Sequence, residues 1–528
     1  MADTVREIER KYEAGPDAGR LPDLTRAGRV ATAAERDPRD LDAVYYDTAD
    51  LRLAADGVTL RRRTGGPDEG WHLKLPVVLP EVTGAVRDEI RAPLSDAPPA
   101  ELTALVRSRT RGAALVPLVR LRTRRTVHDL CDAAGRPLAE VAVDEVRARR
   151  LHPEGVRRKT RWREIEVELA PGVGAGQELL DEVERVLTEA GVRPAAAPSK
   201  LARALAETSP AAATRPTADG PGVTEGADGP DRSADTAGDV VLRYVRAQVR
   251  ALVELDPAVR RELPDAVHQM RVATRRLRSA FRSYGKVLDR AATDPLGVEL
   301  KWLAAELGVG RDQEVLADRL TTALAGVPRT LRLGPVRARL RTWSVRRGAG
   351  ARDRLLDALD GPRYLALLDD LHALLGAPPL RGPAARPARS VVAGAVLKDY
   401  RRLARRVEDA LDTPAGPARD EALHNARKAA KRTRYAAEAA TPALGRPARK
   451  FTRRAKQLQQ LLGDHQDSVV ARAALRELAA QAHRAGENGF TFGLLHGREE
   501  ALADRREREL PGLWTKVSRR GLRQALRG

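Results

Sequence analysis

Residues 5–12 read Val5-Arg6-Glu7-Ile8-Glu9-Arg10-Lys11-Tyr12, and the period of this stretch decides the fold of the N-terminal part. Successive side chains of an extended strand point to opposite faces, so Glu7, Glu9 and Lys11 share one face while Ile8 and Arg10 take the other. The same two-residue period recurs in Val58–Arg63, Trp71–Leu75, Val119–Val127, Leu138–Val146 and Glu164–Leu169, with turn residues between the runs. They predict an antiparallel β domain, closed by a helix near Glu178–Ala190.

These strands carry charge in a pattern that needs a reason. Alternation stacks Glu164, Glu166 and Glu168 on one face and gives Arg61 and Arg63 a common face, while Lys74, Arg122–Arg125 and Asp144 add charge on other runs. Like charges on one strand face are unfavourable unless something of opposite sign fills the space. A hard divalent cation held by carboxylate oxygens, opposite cations that grip phosphates, would resolve the conflict. A merely solvated charged face fits the alternation as well. The register of Arg122–Arg125 stays open, because alternation separates Arg124 from Arg125.

Beyond residue 239 the period changes. Val240–Leu255, Ala266–Tyr284, Val391–Leu411, Ala422–Ala440 and Arg446–Leu462 place apolar residues at helical spacing, so this part is predicted to be all-α. It also repeats itself. His268, Arg271, Arg275, Arg276 and Arg278 are matched 156 residues later by His424, Arg427, Lys431, Arg432 and Arg434, with Lys428 added. A second block, Lys301…Leu307-Gly308…Asp312, recurs as Lys456…Leu462-Gly463…Asp467. Two related halves follow from this, each presenting a histidine and a ladder of cations along one helical stripe. Gly308/Asp312 and Gly463/Asp467 are expected to organise helix ends. Between the two parts, residues 209–238 are rich in Pro, Gly, Ala, Thr and Asp and read as a disordered linker.

Charge divides along the same boundary. Residues 1–208 carry 35 basic and 35 acidic groups, residues 209–238 carry 2 and 5, and residues 239–528 carry 57 and 33, so the excess positive charge behind the net +21 all belongs to the last part. An anionic partner is expected there, and nucleic acid, acidic membrane and polyphosphate are the classes to weigh. Aromatic residues make up only 3% of the chain, which leaves little for base stacking and weighs against nucleic acid. Cys131 is the single cysteine, expected in a loop, and no zinc-finger spacing exists. A charged N-terminus and the lack of any long uncharged apolar run point to a cytoplasmic protein with no membrane span.

The ordered set Glu7-x-Glu9-x-Lys11, Leu60-Arg61-x-Arg63, His72-Leu-Lys74-Leu-Pro76, Glu164-x-Glu166-x-Glu168 and Ser199-Lys200-Leu-Ala-Arg-Ala-Leu resembles a CYTH domain over roughly residues 3–208. That resemblance implies an eight-stranded antiparallel tunnel that binds a triphosphate. It implies phosphate contacts from Arg61, Arg63, Lys74, Arg124 or Arg125, and Lys200, with Lys11 near them. It also implies Mg²⁺ or Mn²⁺ and an attacking water held by Glu7, Glu9, Asp144, Glu166 and Glu168. The duplicated basic helices resemble the two halves of a CHAD domain, over about residues 239–510. This second resemblance implies two pseudo-symmetric four-helix bundles that bind inorganic polyphosphate. The positions it marks are His268, Arg271, Arg275, Arg276, Lys301, His424, Arg427, Lys428, Lys431, Arg432 and Lys456, the histidines hydrogen-bonding phosphate rather than holding metal.

The expected architecture is therefore α+β: a β tunnel with flanking helices over 1–208, a linker over 209–238, and a helical domain over 239–528. The function expected is metal-dependent hydrolysis of triphosphate or a related phosphate chain by the tunnel, with polyphosphate held by the helices. The rival is a non-enzymatic protein that binds polyphosphate and is targeted to its granules.

Overall fold

The computed structural model describes residues 3–14, 21–77, 85–153, 158–173, 176–208 and 235–527. The chain divides into two compact units, Met1–Glu225 and Gly226–Gly528. Most of the expected linker, residues 209–234, lies outside the described residues. Its last residues are structured. Thr236 caps the helix that begins at Ala237, in a reciprocal capping box with Asp239.

In the first unit, eight strands form a ring: β1 Asp3–Glu13, β2 Arg39–Asp47, β3 Thr59–Thr64, β4 Gly70–Pro76, β5 Ala85–Ala92, β6 Val116–Cys131, β7 Pro137–Arg150 and β8 Lys159–Leu169. Neighbours run β1-β5-β4-β3-β2-β6-β7-β8, every pairing is antiparallel, and β8 pairs back to β1 to close the barrel. Closure leaves no free edge, and eight strands enclose a space suited to side chains or one small ligand. The longest hairpin, β6–β7, turns at Asp132, whose carboxylate accepts from Ala134 N at 2.9 Å and Arg136 N at 3.0 Å, while Gly135 takes φ +74°. Cys131 ends β6 rather than lying in a loop.

The barrel reverses the usual placing of polar and apolar residues. Much of its inner wall is charged, and its main apolar clusters lie outside. Helix α1, Gly176–Glu189, buries Leu179, Leu180, Val183, Val186 and Leu187 against Tyr12, Val141, Ile165 and Val167. A second outer cluster joins Leu60, Leu73, Trp71 and Ile90 to Leu102, Leu105 and Val106. Helix α2, Lys200–Thr208, instead sends Leu201, Ala204 and Leu205 against Val119, Leu121, Val146, Ala148 and Trp162, an apolar plug.

The second unit is helical. Its principal helices are α3 Ala237–Arg260, α4 Ala266–Ser283, α5 Arg290–Ala325, α6 Ala388–Asp412, α7 Pro417–Ala439, α8 Arg446–Arg484 and α9 Phe490–Val517. One core draws Leu277, Phe281 and Leu300 from the first repeat together with Leu397, Leu403, Phe451 and Leu458 from the second. A smaller cluster joins the far ends of α5 and α8 through Leu316, Leu320, Leu475 and Leu478, with Phe492 of α9. Gly308, Asp312, Gly463 and Asp467, expected at helix ends, sit inside α5 and α8. No helix among the described residues is long and apolar enough to cross a membrane.

Candidate functional site

Strand alternation delivers the charged residues into the barrel as the sequence implied. Glu7, Glu9, Lys11, Arg61, Arg63, Lys74, Arg125, Glu166, Glu168 and Lys200 all line one cavity of 440 Å³. Registers set charged residues directly across from one another, one pair of like charges and two of opposite charge. Glu9 stands opposite Glu168, Lys11 opposite Glu166, and Arg125 opposite Asp144. Asp144 lies behind the cavity wall, fully buried, and holds Arg125 through two bonds of 2.8 and 2.6 Å. Lys200, at the first turn of α2, reaches Asp144 at 2.9 Å, Glu164 at 2.7 Å and Glu166 at 2.6 Å. Lys11 bridges Glu166 and Glu9, and Lys74 meets Glu7 at 2.5 Å. Arg124 takes the outer face of β6 beside Asp40 and Glu145, away from the cavity, because residues 124 and 125 alternate.

The electrostatics divide the cavity into two regions. Arg61 and Arg63 project together from β3, and burial followed by the neighbouring Arg61 and Arg125 guanidiniums pushes Arg63 down to about 9. Cations so crowded favour an anion among them. On the other side, burial and then the nearby Glu7 push Glu168 up to about 7. Burial also raises Glu7, partly offset by Lys74. Against burial and the nearby Glu166, the combined charges of Lys11, Lys74 and Arg87 hold Glu9 lowered, yet its Oε1 is buried without a hydrogen-bond partner. An unsatisfied carboxylate oxygen beside two carboxyls whose ionisation is resisted fits a hard, oxygen-binding cation. Oxygens of Asp144, Glu164 and Glu166 also lie within 4.8 Å of one another, but Lys200 touches all three, and Arg125 and Lys11 complete the balance of charge.

Sequence reading missed part of this wall. Arg87, Glu89 and Arg91 of β5 point into the same cavity, and Tyr45 Oη accepts from Arg61 at 3.3 Å. Glu89 is held well below the carboxylate range: against the cost of burial, His72 donates to it at 2.9 Å and Lys74 and Arg61 attract it. The period-two signal existed in Arg87-Asp-Glu89-Ile-Arg91. Its outer positions Asp88 and Ile90 are buried too, so no polar-to-apolar contrast marked the strand.

In the helical unit, the ladders of α4 and α7 face each other. A groove of 830 Å³ is lined by Arg275, Arg278 and Arg282 of α4, Arg402, Arg405 and Arg406 of α6, and Lys428, Lys431 and Arg432 of α7, with Asp409 the one acid. Arg271 pairs with Asp312 at 2.8 Å and Arg427 with Asp467 at 3.8 Å, the same contact in each repeat. Gly308 makes room for it, since a Cβ there would sit 3.0 Å from the Arg271 guanidinium, whereas one on Gly463 would make an ordinary contact at 3.7 Å with that of Arg427. Burial, then the charges of Arg427, Arg275 and Arg271, push Lys431 down to about 7, opposed by Asp467. His268 and His424 are also lowered, first by burial and then by neighbouring cations, against Asp265 and Gln466 respectively. Arg276 is engaged by Glu438 at 2.7 Å, while Arg432 holds Asp399 at 2.8 Å. Lys301 and Lys456 are exposed and do not line this groove.

The CYTH domain model matches residues 5–204 and the CHAD domain model residues 243–476. The chain is a CYTH–CHAD protein. An uncharacterised protein of Mycobacterium tuberculosis H37Rv, Rv2226, is 39% identical over 526 residues, spanning 97% of this chain and 96% of its own. Among solved structures, the CHAD domain of the plant Ricinus communis is 25% identical, with a TM-score of 0.43, over 54% of this chain and 92% of that one. A Hippeastrum protein, HpAC1, described as a putative adenylyl cyclase with dominant triphosphatase activity, is 16% identical with a TM-score of 0.22, over 39% and 95%. The CYTH unit thus contains the charged tunnel and the CHAD unit the cationic groove.

Proposed function

We propose that the CYTH unit hydrolyses inorganic triphosphate or a related short phosphate chain with the help of a divalent cation, and that the CHAD unit binds polyphosphate. The observation that carries the reading is the polarity of the tunnel: crowded guanidiniums at Arg61, Arg63 and Arg125, and across from them Glu7, Glu9 and Glu168 with an unsatisfied oxygen. Arg61, Arg63, Lys74, Arg125 and Lys200 bind the phosphates, to which the missed Arg87 adds. Glu7, Glu9 and Glu168 would hold Mg²⁺ or Mn²⁺, while Asp144 and Glu166, engaged by Arg125 and Lys200, fix those two side chains in place. Such an ion, when bound, neutralises phosphate charge and favours an attacking water. The chain's own residues do the rest. The closed wall restricts water, the guanidiniums fix the chain, and fixed positive charge meets negative charge spread over a loose phosphoryl-transfer transition state. Lys11 and Lys200 help keep Glu166 ionised against its burial, and Lys74 does the same for Glu89. In the CHAD unit, the groove of nine cations and one acid supports phosphate-chain binding, and His268 and His424, both lowered by burial, would hydrogen-bond phosphate.

Changing Glu7→Gln and Glu9→Gln together preserves shape and removes anionic ligands. Tripolyphosphate should still bind while phosphate release is lost, with an unchanged circular-dichroism spectrum. Turnover retained in a folded double variant contradicts the assignment.

A further inference from the structure

On the outer wall of the CYTH barrel, three rows of directly paired residues cross β2, β6, β7 and β8. The first, Asp40, Arg124, Glu145, Arg163, alternates in sign, as stabilising cross-strand pairs do. The next two rows break that rule. They read Asp42, Arg122, Arg147, Arg161 and Val44, Arg120, Arg149, Lys159, each placing three cations abreast. Asp42 accepts from Arg120 at 2.7 Å and from Arg122 at 3.3 Å and is the only acid in either row. Arg147, Arg149, Lys159 and Arg161 are exposed, and none has an ion pair among the described residues. The six cations line a shallow depression of 790 Å³. Behind it lies the apolar plug of Val119, Leu121, Val146 and Trp162, so these cations face solvent and contribute nothing to the tunnel.

Like charges paired directly across strands destabilise a sheet, and two such rows side by side imply a bound anion. We propose that this face is a second phosphate-chain site, outside the tunnel, that holds inorganic polyphosphate. Three strands and one two-residue step put the six cations within about 7 by 10 Å. A phosphoanhydride chain, whose consecutive phosphates share one bridging oxygen, can set several anions inside so small a footprint. Duplex DNA, with about 3.4 Å of rise per phosphate on each strand and a surface that curves away, presents fewer there. No aromatic side chain lines the depression, so it offers no platform for bases. Occupancy of this face does not depend on whether the tunnel is catalytic.

Arginine modification by phenylglyoxal, mapped by mass spectrometry on the full chain, tests the proposal residue by residue. Long-chain polyphosphate should slow modification of Arg147, Arg149 and Arg161 several-fold, equally in the Glu7→Gln/Glu9→Gln variant. Duplex DNA at the same phosphate concentration should slow it far less. A triple variant, Arg147→Ala, Arg149→Ala and Arg161→Ala, should reduce the log–log salt slope of polyphosphate binding by about two units while leaving tripolyphosphate turnover unchanged. Unprotected Arg147, Arg149 and Arg161 under saturating polyphosphate overturn the proposal. Equal protection by DNA also overturns it, since the face would then read only net charge.

Discussion

Lys200 shows what single residues do in this molecule. Its side chain is 8% exposed and its ammonium touches three carboxylates, so Lys200→Met would strand Asp144, Glu164 and Glu166 beside one remaining guanidinium and Lys11. Breaking one side of a buried ion cluster costs about 3 kcal/mol or more, and a matching fall in the denaturant midpoint is expected, together with weaker tripolyphosphate binding. Lys431 gives a pH effect. Below about 7 it is already protonated in the free protein; above that value it is neutral, and an incoming polyanion must recruit a proton to it. Polyphosphate affinity should therefore decline as pH rises through about 7, with proton uptake measurable by calorimetry in buffers of different ionisation enthalpy. The charges facing Lys431 are Arg271 and Arg275 of α4, Arg427 of its own helix and Asp467 of α8, so the acid only partly compensates. Lys431→Arg should remove the uptake.

At the scale of the element, periodicity made strands β1, β3, β4, β6, β7 and β8 legible, because each sets charge on one face against apolar side chains on the other. Strand β5 escaped because both its faces are buried and both carry charge, so alternation had nothing to contrast. Helix α5 runs unbroken through Gly308 and Gly310, where local propensity suggests an end; packing of Arg271 over Gly308 outweighs that propensity. The two repeats then differ in a measurable way. Gly463→Ala meets only ordinary contacts and should stabilise α8 by up to about 1 kcal/mol. Gly308→Ala presses on Arg271 at 3.0 Å, so its gain should be smaller and should come with weakened polyphosphate binding. Thermal melts and binding isotherms of the two variants check both statements.

Over the whole molecule, charge is distributed unevenly. The tunnel unit balances its charges in number and pairs many of those inside its barrel, while the helical unit leaves a groove of nine cations against one acid. That Glu7, Glu9, Lys11, Arg61, Arg63 and Lys74 converge on one cavity was readable because strand period fixes which side chains share a face. Which of Arg124 and Arg125 enters the cavity needed the register with Asp144. The groove's third wall, Arg402, Arg405 and Arg406 of α6, lay outside the repeated motif and so carried no signal in sequence. Phosphate release from tripolyphosphate by the full chain, followed while Mg²⁺ or Mn²⁺ is titrated in and then removed by a chelator, bears most directly on the central claim. Release that requires the divalent ion and stops with chelation is expected. No release at any concentration of either ion, or release indifferent to the chelator, would contradict it.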